Sequence, residues 1–217
     1  MPRSELGLSS TLWGLLRSPV PPAFAVDLRL LLTLTFLLVV QVASGILLSF
    51  YYQATPVSVA ESIQQIVRDV EWGWLVRGMH HWTGQAAILV AVLTLARSFL
   101  QRAYRGEGST AWYAGVLVVA VLVVSSYTGE LLAWDDQAFW RVSRSLTHVQ
   151  SIPVAGASLA RILRGGDDVS ATTLGRLHSA HSLVLPWLVW LLLVLDGWML
   201  ARRLRAGHLR ADPGGRP

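Results

Sequence analysis

The chain has 217 residues, 53% of them hydrophobic, only 14% charged, and a formal net charge of +5. So little charge on so apolar a chain excludes an ordinary soluble domain and points to a membrane protein. The absence of cysteine excludes a disulfide frame, an iron–sulfur cluster held by this chain and any thioether-linked cofactor.

In chain order, residues 1–26 carry Arg3, Glu5 and Arg17 and then Pro19, Pro21 and Pro22, without the apolar core or small-residue cleavage site of a secretory signal. Leu8–Leu16, with Trp13, is predicted to form an amphipathic surface helix leading to the first span. That span runs from about 27 to 52 and ends where Gln53 and Pro56 open a 20-residue polar connection. The second span covers about 73–104, its exit marked by Arg97, Arg102, Arg105 and Gly106, and the third about 109–133. The loop to 172 holds two short helical candidates, near 136–148 and 153–164, divided at Ile152-Pro153. The fourth span covers about 172–205, with Pro186 expected to kink it. Uncharged stretches at 30–60, 78–96, 108–129 and 177–195 are each long enough to cross a hydrocarbon layer about 30 Å thick. The expected fold is therefore all-α: a membrane four-helix bundle with a short helical hairpin between the third and fourth spans. It divides into a surface segment (1–26), the bundle (27–205) and a tail (206–217).

Every basic residue is arginine. Segments 1–29, 97–110 and 196–217 hold eleven Arg against five acids, whereas 51–77 and 130–176 hold seven against eight. Positive charge collects on the cytoplasmic side of membranes, so both termini are expected there, in an inner membrane. Arginines at membrane borders meet anionic headgroups and make nucleic acid an unnecessary explanation of the charge.

His80 and His181 open the second and fourth spans at matching depth. Two opposed imidazoles suit the axial positions of haem iron, although a histidine near a span end also serves as an interfacial or core hydrogen-bonding residue. Gly45 and Gly129 lie near the same end of the first and third spans, where a flat macrocycle needs close backbone approach; ordinary small-residue packing is the other reading. Gly115 precedes Gly129 by fourteen residues, nearly four turns, on about the same face. Arg77 and Arg176 precede the two histidines by three and five residues; each either pairs with a propionate or anchors the interface. His81 and His178 are alternative ligands only if the register shifts, and His148 is expected to face water.

The run Gly73-Trp74-Leu75-Val76-Arg77-Gly78-Met79-His80 resembles the N-terminal half of cytochrome b. So do Gln41-Val42-Ala43-Ser44-Gly45, Trp134-Asp135-x-Gln137-x-x-Trp140, Ser151-Ile152-Pro153-Val154-x-Gly156 and Arg176-x-x-x-x-His181-x-x-x-Leu185-Pro186. The likeness is greatest to the short form, cytochrome b6, and covers roughly 20–205. It implies a bundle carrying two b haems, one per membrane side. It also implies partners: a Rieske iron–sulfur protein, a c-type cytochrome, and a separate subunit completing a quinol site, in a complex that is dimeric by default. His80 and His181 would hold the p-side haem.

The departures are as informative. The family's second ligand pair falls here on Thr94 and on Asp196 (or Leu195), and Leu31 stands where the deeper ring would need glycine. Neither Thr nor Asp competes with imidazole for haem iron, so the deeper, n-side haem is expected to be absent. Leu31, Trp187, Trp190 and Leu191 are expected to fill part of its space. Asp196 is expected to pair with Thr94 or Arg97, or to reach the headgroups with Arg202 and Arg203. The family's quinol-pocket segment Gly-Tyr-x-Leu-Pro-Trp becomes Gly129-Glu130-Leu131-Leu132-Ala133-Trp134. Glu130 is then either a proton acceptor for quinol or an ion-pair partner of Arg141 or Arg144. The leading expectation is a single-haem electron-transfer subunit taking part in quinol oxidation. The alternatives are a scaffold subunit anchoring other redox proteins, with or without haem, and the membrane b subunit of a dehydrogenase.

Overall fold

The computed structural model describes residues 22–105 and 109–211; the surface helix expected at Leu8–Leu16 lies outside them. The described chain folds into α1 (Pro22–Ser49), α2 (Val59–Arg68), α3 (Gly73–Leu100), α4 (Ser109–Leu131), α5 (Asp136–Gln150), α6 (Gly156–Arg164), α7 (Ala171–Ser179), a π-helical turn (Ala180–Val184) and α8 (Leu185–Ala211). Among the described residues there is no strand. Four stretches are long and apolar enough to cross a membrane: Ala25–Ser49, Gly73–Leu100, Ser109–Leu131 and the continuous Ala171–Arg203. Their outer faces carry exposed Leu32, Phe36, Val39, Leu117, Val124 and Val194, which water would not tolerate in such numbers and lipid does. The protein is an integral membrane four-helix bundle.

Helix α1 packs chiefly against α3, α3 against α4, and α4 against α8. Mid-bundle, all four spans meet in one apolar layer of Leu34, Leu38, Ala87, Ala91, Val118, Leu122, Val189, Leu192 and Leu193. The alanines on α3 let its neighbours close in, and the leucines fill the space between. This layer separates two levels of the bundle, one near the loops that hold α2 and the α5–α6 hairpin, the other near the chain ends.

The connection between the first two spans is not merely polar coil, because α2 lies within it. Its buried residues Val59, Ser62 and Ile66 recur at helical spacing, a pattern obscured by the polar residues between them. Tyr52 closes this side: its hydroxyl donates to the Leu132 carbonyl at 2.8 Å. Burial pushes the phenol up to about 12, so it remains a donor at any working pH.

The helical hairpin between the third and fourth spans is present. Asp135 caps α5 by accepting from the Ala138 amide at 2.7 Å, and Ala138, Val142 and Leu146 bury against Leu131 at the end of α4. Pro153 does not begin the second helix; it sits in the turn, and α6 starts at Gly156. A Cβ there would lie 2.4 Å from the Val149 carbonyl oxygen, so the two helices meet where only glycine fits. In the fourth span the irregularity expected at Pro186 is a π turn just before it; the helix continues through the proline, and the wider turn accommodates its ring and missing N–H.

Replacing Gly156 with alanine is expected to destabilise the protein by about 1–3 kcal/mol, since the obstacle is backbone rather than a movable side chain. Gly166→Ala, with nothing within 4 Å of the new methyl, is expected to be near neutral. Thermal unfolding in detergent compares the two; equal melting temperatures would show that the α5–α6 turn is looser than described.

Candidate functional site

His80 and His181 face one another across the bundle. Their ring centroids are 6.1 Å apart and the planes cross at 74°. Two imidazole–metal bonds of about 2 Å each, plus the distances from ring nitrogen to ring centre, span about 6 Å. The pair therefore stands at the separation that one metal atom between two Nε2 atoms would impose.

Each ring is held from behind in the same way. On α1, the Gln41 carbonyl accepts from His80 Nδ1 at 3.1 Å, with Ser44 Oγ also 3.1 Å from that nitrogen. On α4, the Ser125 carbonyl accepts from His181 Nδ1 at 3.0 Å, with Thr128 Oγ1 at 3.2 Å. A carbonyl has no proton to give, so each Nδ1 carries the hydrogen and each Nε2 is left with an unprotonated lone pair. That is the tautomer a metal-binding imidazole needs, fixed by its outer hydrogen bond. The Gln41 side-chain amide, 3.4 Å from His80 Nε2, is itself held by Thr83, whose hydroxyl donates to it at 2.6 Å.

Gly45 and Gly129 complete the cradle. A Cβ on Gly45 would lie 3.1 Å from His80 Cε1, and one on Gly129 would lie 2.9 Å from His181 Cε1. The glycines thus admit the imidazole rings themselves, a closer role than the approach to a macrocycle expected from sequence. Gln41, Ser44 and Gly45 have the same spacing as Ser125, Thr128 and Gly129, so one anchor is built twice. Sequence reasoning found the glycines and missed the hydroxyl before each of them, Ser44 and Thr128, and the carbonyls one turn earlier. The repeated hydroxyl–glycine pair was the available signal.

The other histidines stand apart. His81 is exposed beside Trp82, His178 stacks on Tyr52 at 5.3 Å, and His148 is exposed on α5. Arg77 and Arg176 are both exposed, with the Arg176 Nε packed near Gly165. Glu130 is about half exposed and accepts from Arg141 Nη1 at 3.0 Å. Of the two roles considered for it, the ion pair is the one in place.

The deeper level contains a cavity of about 320 Å³ lined by Leu31, Thr94, Gly115 and Asp196, among others. Asp196, and not Leu195, therefore matches Thr94. Fifteen residues separate it from His181 and fourteen separate Thr94 from His80, and the π turn at Ala180–Val184 takes up the extra residue. The expected filling of this level does not occur. Trp187 and Leu191 are exposed on the outer face of the bundle, and Trp190 packs against the mid-bundle layer. Only Leu31 reaches the space. Arg97 does not pair with Asp196, because its Nε donates to Asp27 Oδ1 at 2.7 Å. The Thr94 hydroxyl donates to the Val90 carbonyl at 2.7 Å.

A family model for "Cytochrome b/b6/petB" matches residues 16–203. The chain is 34% identical over 178 residues to the cytochrome b6 of Mastigocladus laminosus, covering 82% of each chain. It is 33% identical over 171 residues to the cytochrome b6 of Acaryochloris marina, covering 79% of this chain and 80% of that one. Among solved structures it superposes with a TM-score of 0.68 on a chain of a "Hyperthermophilic respiratory Complex III", at 23% identity. That match covers 79% of this chain and 47% of the other, so the present chain spans about half its length.

Gly129→Ala is expected to push the His181 ring out of line and to lower haem retained through purification severalfold. Gly45→Ala, with slightly more room, is expected to lower it less. Haem absorbance per protein measures both, and full retention in Gly129→Ala would show that the glycine is not needed to seat the ring.

Proposed function

The chain belongs to the cytochrome b/b6 family and is a membrane electron-transfer subunit; from that premise we propose that it binds one b-type haem, between His80 and His181, and takes part in quinol oxidation. The observation that carries this reading is the imidazole pair, 6.1 Å apart with both Nδ1 atoms anchored to backbone carbonyls. Bound there, haem supplies one-electron transfer with no open coordination position. The protein's part is to hold two neutral imidazoles in a fixed tautomer, which lowers the reorganisation needed when charge arrives. Arg77 and Arg176, preceding the two histidines, would face propionates from the border.

The ligand level would lie on the p-side, at the loop end of the bundle, with both chain ends in the cytoplasm; the arginine distribution supports this orientation. Glu130, on the same side, would accept a quinol proton once Arg141 releases it. The partners this implies are a Rieske protein, a c-type cytochrome and a subunit that completes the quinol pocket. The same reading assigns no haem to the deeper level. Thr94 and Asp196 offer its iron no imidazole, and Leu31 puts a branched side chain in the wall of this level, where the ring would need glycine.

Haem per polypeptide, measured as the alkaline pyridine haemochrome on the purified complex, is expected to be one, and close to zero in His80→Ala. Two haems per chain would refute the single-site reading, and none in the wild type would favour a scaffold.

A further inference from the structure

The deeper cavity is not an apolar void. Leu31, Leu34, Ala91, Leu95, Val118, Leu193 and Leu200 form its greasy walls, but Thr94, Ser98, Gln101, Trp112, Asp196 and Arg203 line it too. Gln101 and Ala103 lie beyond the end of α3, so the cavity reaches the bundle end where α1 begins and α8 runs out. Its volume of about 320 Å³ is room for on the order of ten waters, each of which occupies about 30 Å³ in the liquid.

Two polar groups in its wall bear on what can fill it. Among the described residues, Trp112 Nε1 is the buried side-chain polar atom without a hydrogen-bond partner. An indole N–H only donates, so it needs an acceptor, and leaving it without one costs about 1–3 kcal/mol. Asp196 is a carboxylate inside a membrane span, and such a group persists only when paired or hydrated. The two neighbours best placed by sequence are committed elsewhere: Arg97 to Asp27, and the Thr94 proton to Val90. The charged groups that line the cavity with Asp196 are Asp27 of α1, itself paired with Arg97 of α3, and Arg203 on its own helix, which acts on it electrostatically. Helix α4 contributes no charge to the lining, only Ala111, Trp112, Gly115 and Val118. An acyl chain in this space would leave both the carboxylate and the indole N–H unsolvated. Water solvates the carboxylate.

We propose that the emptied deeper level is a water-filled vestibule, open at the end of the bundle that carries the chain termini, through which Asp196 exchanges protons with that side of the membrane. This rests on the single-haem reading, since a haem at this level would occupy the same space. The class of ligand is thus water and the proton it delivers, bound where the family would place a second pair of histidines. The proton balance is simple: Asp196 takes up one proton from vestibule water and returns it to the same water.

The chain has no cysteine, so single-cysteine variants report without background. In sealed vesicles holding the haem-loaded complex, a charged, membrane-impermeant thiosulfonate is applied to either face of Thr94→Cys, Leu191→Cys and Arg202→Cys. Thr94→Cys, nearly isosteric with the native residue, is expected to react at least tenfold faster than the lipid-facing Leu191→Cys. It is expected to do so only from the face on which the exposed Arg202→Cys reacts. If a lipid-soluble maleimide labels Thr94→Cys while the charged reagent does not, the cavity is apolar or lipid-filled and the vestibule is refuted. Haem per chain on the same vesicles separates the two readings: one haem with an inert Thr94→Cys refutes the vestibule alone, whereas two haems refute the single-haem reading. The acid is tested by infrared difference spectra on changing the pH at that face. A protonated-carboxyl band that titrates in the wild type and is lost in Asp196→Asn is the expected result, and a band unchanged by the substitution would overturn the assignment.

Discussion

The bundle is organised by two histidine–carbonyl hydrogen bonds, His80 to Gln41 and His181 to Ser125. Each joins adjacent spans, and each uses Nδ1 and leaves Nε2 unprotonated. In a membrane a carbonyl within a span already accepts from the helix, so taking a second donor is available only through its remaining lone pair. That demands a short approach, and Gly45 and Gly129 make the approach possible by having no side chain where the ring edge lies. The hydroxyls of Ser44 and Thr128 fold back onto their own helices and stand against the same nitrogen. From these two contacts follow the direction of both Nε2 lone pairs and the spacing of the rings.

The two levels of the bundle obey different chemistry because the same helix geometry carries different side chains. Fourteen residues after His80 the chain is back on the same face, about 21 Å deeper. The fourth span reaches this level one residue later because of its π turn, which lets His181 and Asp196 both point inward despite a spacing of fifteen. Between them, the apolar layer around Leu38, Ala87, Leu122 and Val189 seals one level from the other. A change in ligands at the deeper level therefore leaves the packing of the shallower one intact.

Most of the architecture was legible in the sequence because lipid imposes coarse, strong signals: four apolar runs, arginines at their borders, and proline and glycine in the loops. The histidine pair was legible for a related reason, since polar residues at matching depth in two spans are conspicuous. What was not legible depended on contacts across the bundle. Arg97 lies one turn beyond Thr94, which made it a natural partner for Asp196; that Asp27 takes it instead depends on how α1 packs against α3. Trp187 and Leu191 are large and apolar, and nothing in the sequence distinguishes a lipid-facing tryptophan from a cavity-filling one without the rotation of α8. Helix α2 was missed because only Val59, Ser62 and Ile66 are buried, one of them polar.

The persistence of the deeper cavity follows from its position. Closing it would require α1 and α8 to move inward, but both are fixed one layer above by Leu34, Leu38, Val189 and Leu192, and α1 is tied to α3 by the Asp27–Arg97 pair. In a soluble protein an apolar cavity of this size would be costly, and substitution would be expected to fill it. Here the lining includes two carboxylates, Asp27 and Asp196, and the Arg203 guanidinium at the end of a membrane bundle, so on the vestibule proposal solvation offsets the cost that packing leaves. On the single-haem reading, an electron arriving between His80 and His181 meets, on the far side of the apolar layer, protons and water in place of a second iron. The route onward then lies within or between partners at the ligand level rather than across the membrane through this chain.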